Sequence, residues 1–339
     1  MKRNYYFRFI FLILFLVSLT SFAHKTIYIG TGIPGWWGGS LFNTNTNADG
    51  HREPMYLLKQ KLTELGYEVK EARSFDNLHD ADFIILYDTP PVQMLPVLSQ
   101  YPKKKLILFL WEPPTVRPDS YQVSSHGCFS EIYTWSDDLV NDERYFKFYY
   151  PVLQPIIDKV IDFKDKKLCT LIACNKSSRH KDELYSARKK AIDFFEQLNT
   201  DEFDLFGRGW NAKQYKTYKG KVNRKLDYLK KYRFYICYEN IKNISGYVTE
   251  KIFDCFRAGC VPVYWGASNI AEYIPKNCFI ARDEFSDEQE LYDFMKNMPQ
   301  EEYNQYIDNI KNYLQSDLAQ LYSTEHFIDT FLQAIGHDE

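Results

Sequence analysis

Apolar runs separated by amphipathic stretches divide the chain into two successive series. In the first, "KTIYIG" (25–30) has strand patterning and residues 52–65 carry a helical period. "ADFIILYD" (81–88) and "KKKLILFLW" (103–111) are continuous apolar runs, the pattern of strands buried on both faces. A short helical segment, "VQMLPVLSQ" (92–100), lies between them, and residues 112–164 are less regular. The second series opens with the strand "KKLCTLIACN" (166–175), the long helix "ELYSARKKAIDFFEQLN" (183–199) and the strand "FDLFG" (203–207). The helix "RKLDYLKKY", the strand "RFYICYE", the helix "TEKIFDCFRAG" and the strand "CVPVYW" then alternate over 224–265. "CFIAR" (278–282) and an acidic, then amphipathic, stretch from Ser286 complete the chain.

Strands and helices in this alternation predict parallel sheets covered on both faces. Two series predict two facing Rossmann-like, doubly wound α/β domains, over 24–164 and 165–339, with a cleft between them. Ligands of such folds bind beyond the carboxyl ends of the strands, so the loops at that rim hold the candidate chemistry.

Composition narrows the classes. A length of 339 residues accommodates two domains, and 45% hydrophobic with 26% charged residues excludes general disorder. A formal charge of -3 gives no reason to expect nucleic acid as a partner. Aromatic residues reach 17%, which a bulky core explains more simply than sugar-stacking surfaces. The 7 cysteines include no C-x-x-C pair and several sit in apolar strands, which favours buried thiols over a disulfide framework. No histidine pattern suits zinc.

Residues 1–23 stand apart from the fold. Lys2, Arg3 and Arg8 precede an uncharged apolar run over 9–23, shorter than the roughly 20 residues of a spanning helix. Ser21 and Ala23 have the small side chains that precede a signal-peptidase cut. A cleaved signal peptide and a short signal anchor both fit. The first gives an exported protein; the second gives a membrane-associated one, on the lumenal side of the Golgi in a eukaryote.

Several short patterns lie at the strand ends. Gly30, Gly32 and Gly35 spell G-x-G-x-x-G, but Pro34 and the glycines after it leave no helix to receive a pyrophosphate, so a loop is expected. Trp36 and Trp37 in that loop either offer a face to an acceptor sugar or pack inward. Asp80 and Asp82 form a D-x-D at the start of a strand, where acidic residues ordinarily mark a solvated end. Glu112 follows "LILFLW" and precedes two prolines, at the carboxyl end of a buried strand. A carboxylate partly desolvated there gains proton affinity and suits a general base; a plain surface-loop glutamate is the alternative. Lys251 is the odd residue. Thr249 caps a helix and Glu250 suits its positive end, whereas a lysine in the first turn costs about 0.3–1 kcal/mol unless negative charge lies opposite. A bound diphosphate would supply that charge; a side chain turned out to solvent would avoid the cost.

The run "YICYENIKNISGYVTEKIFDCFRAGCVPVYWGA" (235–267) closely resembles the donor-site motif of the alpha-1,3/4-fucosyltransferases, glycosyltransferase family 10. The motif has an aromatic-Glu-Asn, a short spacer, Tyr-x-Thr-Glu-Lys, then Val-Pro-Val and a glycine. Weaker likeness lies in "FLWEPPTVRPDSY", "FDLFGRGW" and the helix that carries Arg188. The resemblance implies a GT-B fold, with acceptor bound mainly by the first domain and GDP-fucose by the second. It implies inverting transfer of L-fucose to a hydroxyl, O3, of an N-acetylglucosamine or glucose unit, without a required metal or other cofactor. By position, Tyr247, Glu250 and Lys251 would hold ribose, fucose and diphosphate. Arg188 and Asn240 would complete the donor site, and Glu112 would be the base. The spacer 176–187 before Arg188 is longer than the family pattern. A GT-B transferase for another nucleotide sugar and an inactive glycan-binding homologue are the rivals.

Overall fold

The computed structural model describes residues 24–33, 38–46, 49–157 and 161–337. Strand β1 (Thr26–Thr31) starts the first sheet, and helix α1 (Glu53–Glu64) leads to the edge strand β2 (Glu68–Glu71). Then come β3 (Phe83–Tyr87), helix α2 (Leu95–Leu98), β4 (Leu106–Leu110), β5 (Glu131–Thr134) and β6 (Tyr145–Lys147). All pair in parallel, in the order β2-β1-β3-β4-β5-β6. Every residue of β4 is buried, which accounts for its unbroken apolar sequence: both faces are covered, so no position faces water.

The second sheet starts with β7 (Lys167–Ile172), α3 (Tyr185–Leu198), β8 (Phe203–Phe206) and α4 (Lys225–Leu229). It continues through β9 (Tyr232–Tyr238), α5 (Glu250–Arg257), β10 (Val261–Trp265), α6 (Ile270–Tyr273) and β11 (Ile280–Ala281). These strands are also parallel, in the order β11-β10-β9-β7-β8. Strand order therefore reverses between β1 and β3 in one sheet and between β7 and β9 in the other. A crevice forms beyond the carboxyl ends at such a reversal.

Four helices end the chain: α7 (Glu288–Asn297), α8 (Gln300–Leu314), α9 (Asp317–Gln320) and α10 (Thr324–Ala334). The last returns to the first sheet. Ser323 caps α10 by accepting the His326 N–H at 3.0 Å. Phe327 and Phe331, one turn apart, then fall on one buried side, with ring centroids 6.1 and 5.8 Å from Phe109 of β4. Beyond the helix, His337 Nδ1 meets the Tyr67 hydroxyl at 2.9 Å. A division at 164/165 thus separates the two sheets, while α10 lies on the first.

The long elements lie where the apolar pattern puts them. Three strands do not follow from it: β2 at the edge, and β5 and β6 inside the stretch read as irregular. Each has three or four residues, and β2 and β6 carry charged side chains at an edge. Neither a run nor an alternation can develop over so few positions. All seven cysteines are free thiols, five of them buried, in line with their apolar surroundings. The apolar segment 9–23 lies outside the described residues, among which no helix is long and apolar enough to cross a membrane.

Candidate active site

The first turn of α5 resolves the oddity of Lys251. Thr249 is the N-cap, its hydroxyl oxygen accepting the Lys251 N–H at 3.4 Å. Glu239, the residue after β9, is fully buried and holds the cap in place: it accepts the Thr249 N–H at 3.1 Å and the hydroxyl at 2.8 Å. The same carboxylate lies 2.8 Å from Lys251 Nζ, and Glu250 lies 3.4 Å away on the other side. Burial disfavours the ammonium, but these two carboxylates outweigh it and hold Lys251 charged well above the ordinary lysine range. The charge that offsets the lysine is built into the protein. Glu250 in turn pays for burial and is still pulled below the ordinary carboxylate range by Lys251, Lys225 and His51.

Arg188, on α3, reaches the same place from β7's side. Its guanidinium donates to the Tyr238 carbonyl at 2.7 Å and to Asn240 Oδ1 at 3.1 Å, and it lies over the Tyr185 ring at 5.1 Å. The long spacer before it is tied down locally. Leu184 N–H donates to the Asn240 carbonyl at 3.1 Å, and Lys242 N–H to the Asp182 carbonyl at 2.9 Å. Arg188 therefore keeps its place beside Asn240 despite the extra residues.

Tyr247 is buried between the two halves, 4.5 Å from the Trp135 ring. Gly246 before it has φ +83°, and a Cβ there would lie 2.3 Å from the Trp135 carbonyl oxygen. Only glycine fits both the backbone and the approach. Gly246→Ala is expected to cost about 1–3 kcal/mol, read as a lower melting temperature. An unchanged melting temperature would mean that the two halves do not meet closely at this loop.

Glu112 comes from the other half, just past β4. Burial raises its proton affinity above that of an ordinary carboxylate; Lys251 opposes this, Glu250 adds to it, and Lys176 and Arg117 oppose it. Glu112 shares a cavity of about 330 Å³ with Arg188, Asn240, Tyr247, Glu250 and Lys251. Ala173 and Cys174 beyond β7 and Asn240 beyond β9 also line it, so the cavity opens where the second sheet reverses its order. A carboxylate of raised basicity thus faces Lys251 and Arg188 across a gap between domains. The arrangement can take a proton on one side and stabilise a departing anion on the other.

The remaining motifs lie elsewhere. Asp80 and Asp82 precede β3, at the amino rim, away from the cavity. Lys70 Nζ binds Asp80 at 3.0 Å, and Asp82 accepts the Thr26 N–H at 2.8 Å. Gly30 lies in β1, and Gly32, just past it, donates its N–H to the Tyr87 carbonyl at 2.8 Å. Gly35, Trp36 and Trp37 lie outside the described residues.

Three residues of the site were not singled out in the sequence. Glu239 stood within the motif without a role. Lys225, the first residue of α4, lines the cavity with Nζ 3.0 Å from the buried Asp254 and 5.0 Å from the Tyr235 ring centroid. Like Lys251, it is a lysine in the first turn of a helix, a local anomaly visible in the sequence. Asp88 follows β3 and meets the backbone before Glu112; nothing in "ILYDTPP" distinguishes it from a turn aspartate.

Residues 161–331 match the model of glycosyltransferase family 10 (fucosyltransferase), C-terminal part. Over 87 residues the chain is 33% identical to the alpha-(1,3)-fucosyltransferase FucT of Helicobacter pylori, a stretch covering 26% of this chain and 18% of that protein. The chain thus spans under a fifth of the length of this curated relative. A crystal structure of alpha1,3-fucosyltransferase shares the fold over 95% of this chain and 93% of its own, with a TM-score of 0.61 at 17% identity. Another, with GDP-fucose, has a TM-score of 0.55 at 16% identity, over 93% of this chain and 91% of its own.

Proposed function

The chain belongs to glycosyltransferase family 10, and on that premise we propose that it is an inverting fucosyltransferase. It moves L-fucose from GDP-fucose to a hydroxyl, O3, of an N-acetylglucosamine or glucose unit in a glycan. The observation that carries this reading is the single cavity in which Glu112 of one half faces Lys251 and Arg188 of the other.

Glu112 takes the proton of the acceptor hydroxyl as its oxygen forms a bond to C1 of fucose. The bond from C1 to the β-phosphate oxygen breaks on the opposite face, and its electron pair leaves with GDP. Negative charge grows on that oxygen, where Lys251, Arg188 and the N–H groups at the start of α5 stabilise it. Positive charge grows on the sugar, and Glu250, held ionised by its cationic neighbours, favours it. Tyr247 and Asn240 hold the nucleotide end of the donor.

Two fixed cations supply the charge neutralisation for which many transferases use a divalent metal. Activity is therefore expected to persist in excess chelator, and a loss restored by added metal would refute that role. Release of nucleotide measured with GDP-fucose, GDP-mannose and UDP-sugars tests the donor. Turnover with another donor in preference to GDP-fucose would favour the rival transferase, and glycan binding without turnover an inactive homologue. An array of acceptors read by product linkage identifies the glycan.

A further inference from the structure

The peptide that carries Glu112 is clamped at every polar backbone atom, and no clamp belongs to a helix or strand ladder. Asp88 accepts the Trp111 N–H at 2.8 Å and the Glu112 N–H at 3.1 Å, both on Oδ1. The Trp111 carbonyl accepts from the Tyr150 hydroxyl and from Trp135 Nε1–H at 3.2 Å. The Glu112 carbonyl accepts the Tyr121 hydroxyl at 2.9 Å. Of these partners Asp88 alone is a carboxylate.

Asp88 is itself fixed in an unusual state. It is buried, and its φ is +63°, a conformation that residues other than glycine seldom adopt. Its own N–H donates to the Phe109 carbonyl at 2.8 Å, which ties the end of β3 to the end of β4. An ordinary turn aspartate would be solvated. A buried one with left-handed backbone persists where the surrounding structure requires it.

We infer that Asp88 is a positioning residue for Glu112: it fixes the peptide that aims the base. The inference rests on the reading of Glu112 as the base. With N–H and carbonyl groups all held, the Glu112 side chain leaves a rigid origin and needs no reordering at each turnover. Burial and then the Glu112 charge push Asp88 up to about 7, against the opposing Glu112 and Trp111 N–H groups and Arg117. The clamp itself needs only an acceptor oxygen at this position, charged or neutral.

The other groups facing this pair are Lys251 and Glu250 from α5, Lys176 from the loop after β7, and Arg117 from the loop after β4. The phenols of Tyr121, Tyr150 and Tyr247 also surround it, and burial keeps them neutral.

Two variants of the full chain test the clamp. Asp88→Asn retains an acceptor oxygen for the Trp111 and Glu112 N–H groups and a residue that tolerates positive φ. Its kcat for transfer is expected to stay within about threefold of the wild type. Asp88→Gly relieves the backbone and removes the clamp. Its kcat is expected to fall about 10- to 100-fold, with the Kd for GDP unchanged because the donor contacts lie on the other domain. A kcat in Asp88→Asn as low as in Asp88→Gly, or wild-type kcat in Asp88→Gly, overturns the inference. So does a loss of GDP affinity in step with kcat, the sign of general damage to the fold. Glu112→Gln, measured alongside, distinguishes the two levels. If it keeps transfer, the reading of the base fails; if it loses transfer while Asp88→Gly keeps it, only the role of Asp88 fails.

Discussion

Glu112→Gln is expected to bind GDP like the wild type and to transfer fucose about 10²–10⁴-fold more slowly. The amide has the same shape as the carboxyl but cannot accept the hydroxyl proton at neutral pH. The groups assigned to GDP lie on the other half of the cavity and lose no partner. Calorimetry with GDP and single-turnover transfer separate the two effects, and a wild-type rate would remove Glu112 from the chemistry. The pH dependence has a definite sign. Burial raises the proton affinity of Glu112, so the active, ionised form is lost as pH falls through a value above the ordinary carboxylate range. The variant should lack that limb.

Lys251→Ala is expected to weaken GDP binding by about 2–4 kcal/mol, roughly 30- to 1,000-fold in Kd. The ammonium lies deep in the cavity with little water to screen it, so its attraction for a diphosphate is large. Truncation has a second consequence: Glu239 loses its cation while remaining buried, which destabilises the fold. Lower affinity could then reflect damage rather than a lost contact. The double variant Glu239→Gln with Lys251→Met separates these, because it buries neither charge and retains an oxygen for the Thr249 cap. It should melt close to the wild type and still bind GDP poorly. Recovery of GDP affinity in the double variant, or wild-type affinity in Lys251→Ala, would show that the lysine serves the fold alone.

Much of the site could be read along the chain because its residues disturb local rules. Glu112 ends an apolar run at the point where a parallel strand must leave the sheet. Lys251 opposes the dipole of the helix that it begins. These are statements about neighbours in sequence, and they hold in the structure. Partners from distant segments were not legible in this way. The offset to Lys251 is Glu239, twelve positions earlier (251 − 239), and it works only because β9 ends beside the first turn of α5. Asp88 needs the ends of β3 and β4 side by side, and its positive φ leaves no mark in its neighbours. The edge strands β2 and β6 take their structure from a pairing partner rather than from their own three or four side chains.

The sequence by itself determined the two series of buried strands, the cap and first turn of α5, and a motif dense enough to mark the family. All are local: they follow from side-chain period, backbone preference and short spacing. The tertiary structure decided which carboxylates are desolvated, which cation each one faces, and that α10 crosses back to the first sheet. Those outcomes depend on surfaces brought together from far along the chain. A charge acquires its strength from whatever excludes water around it, and no single segment carries that information.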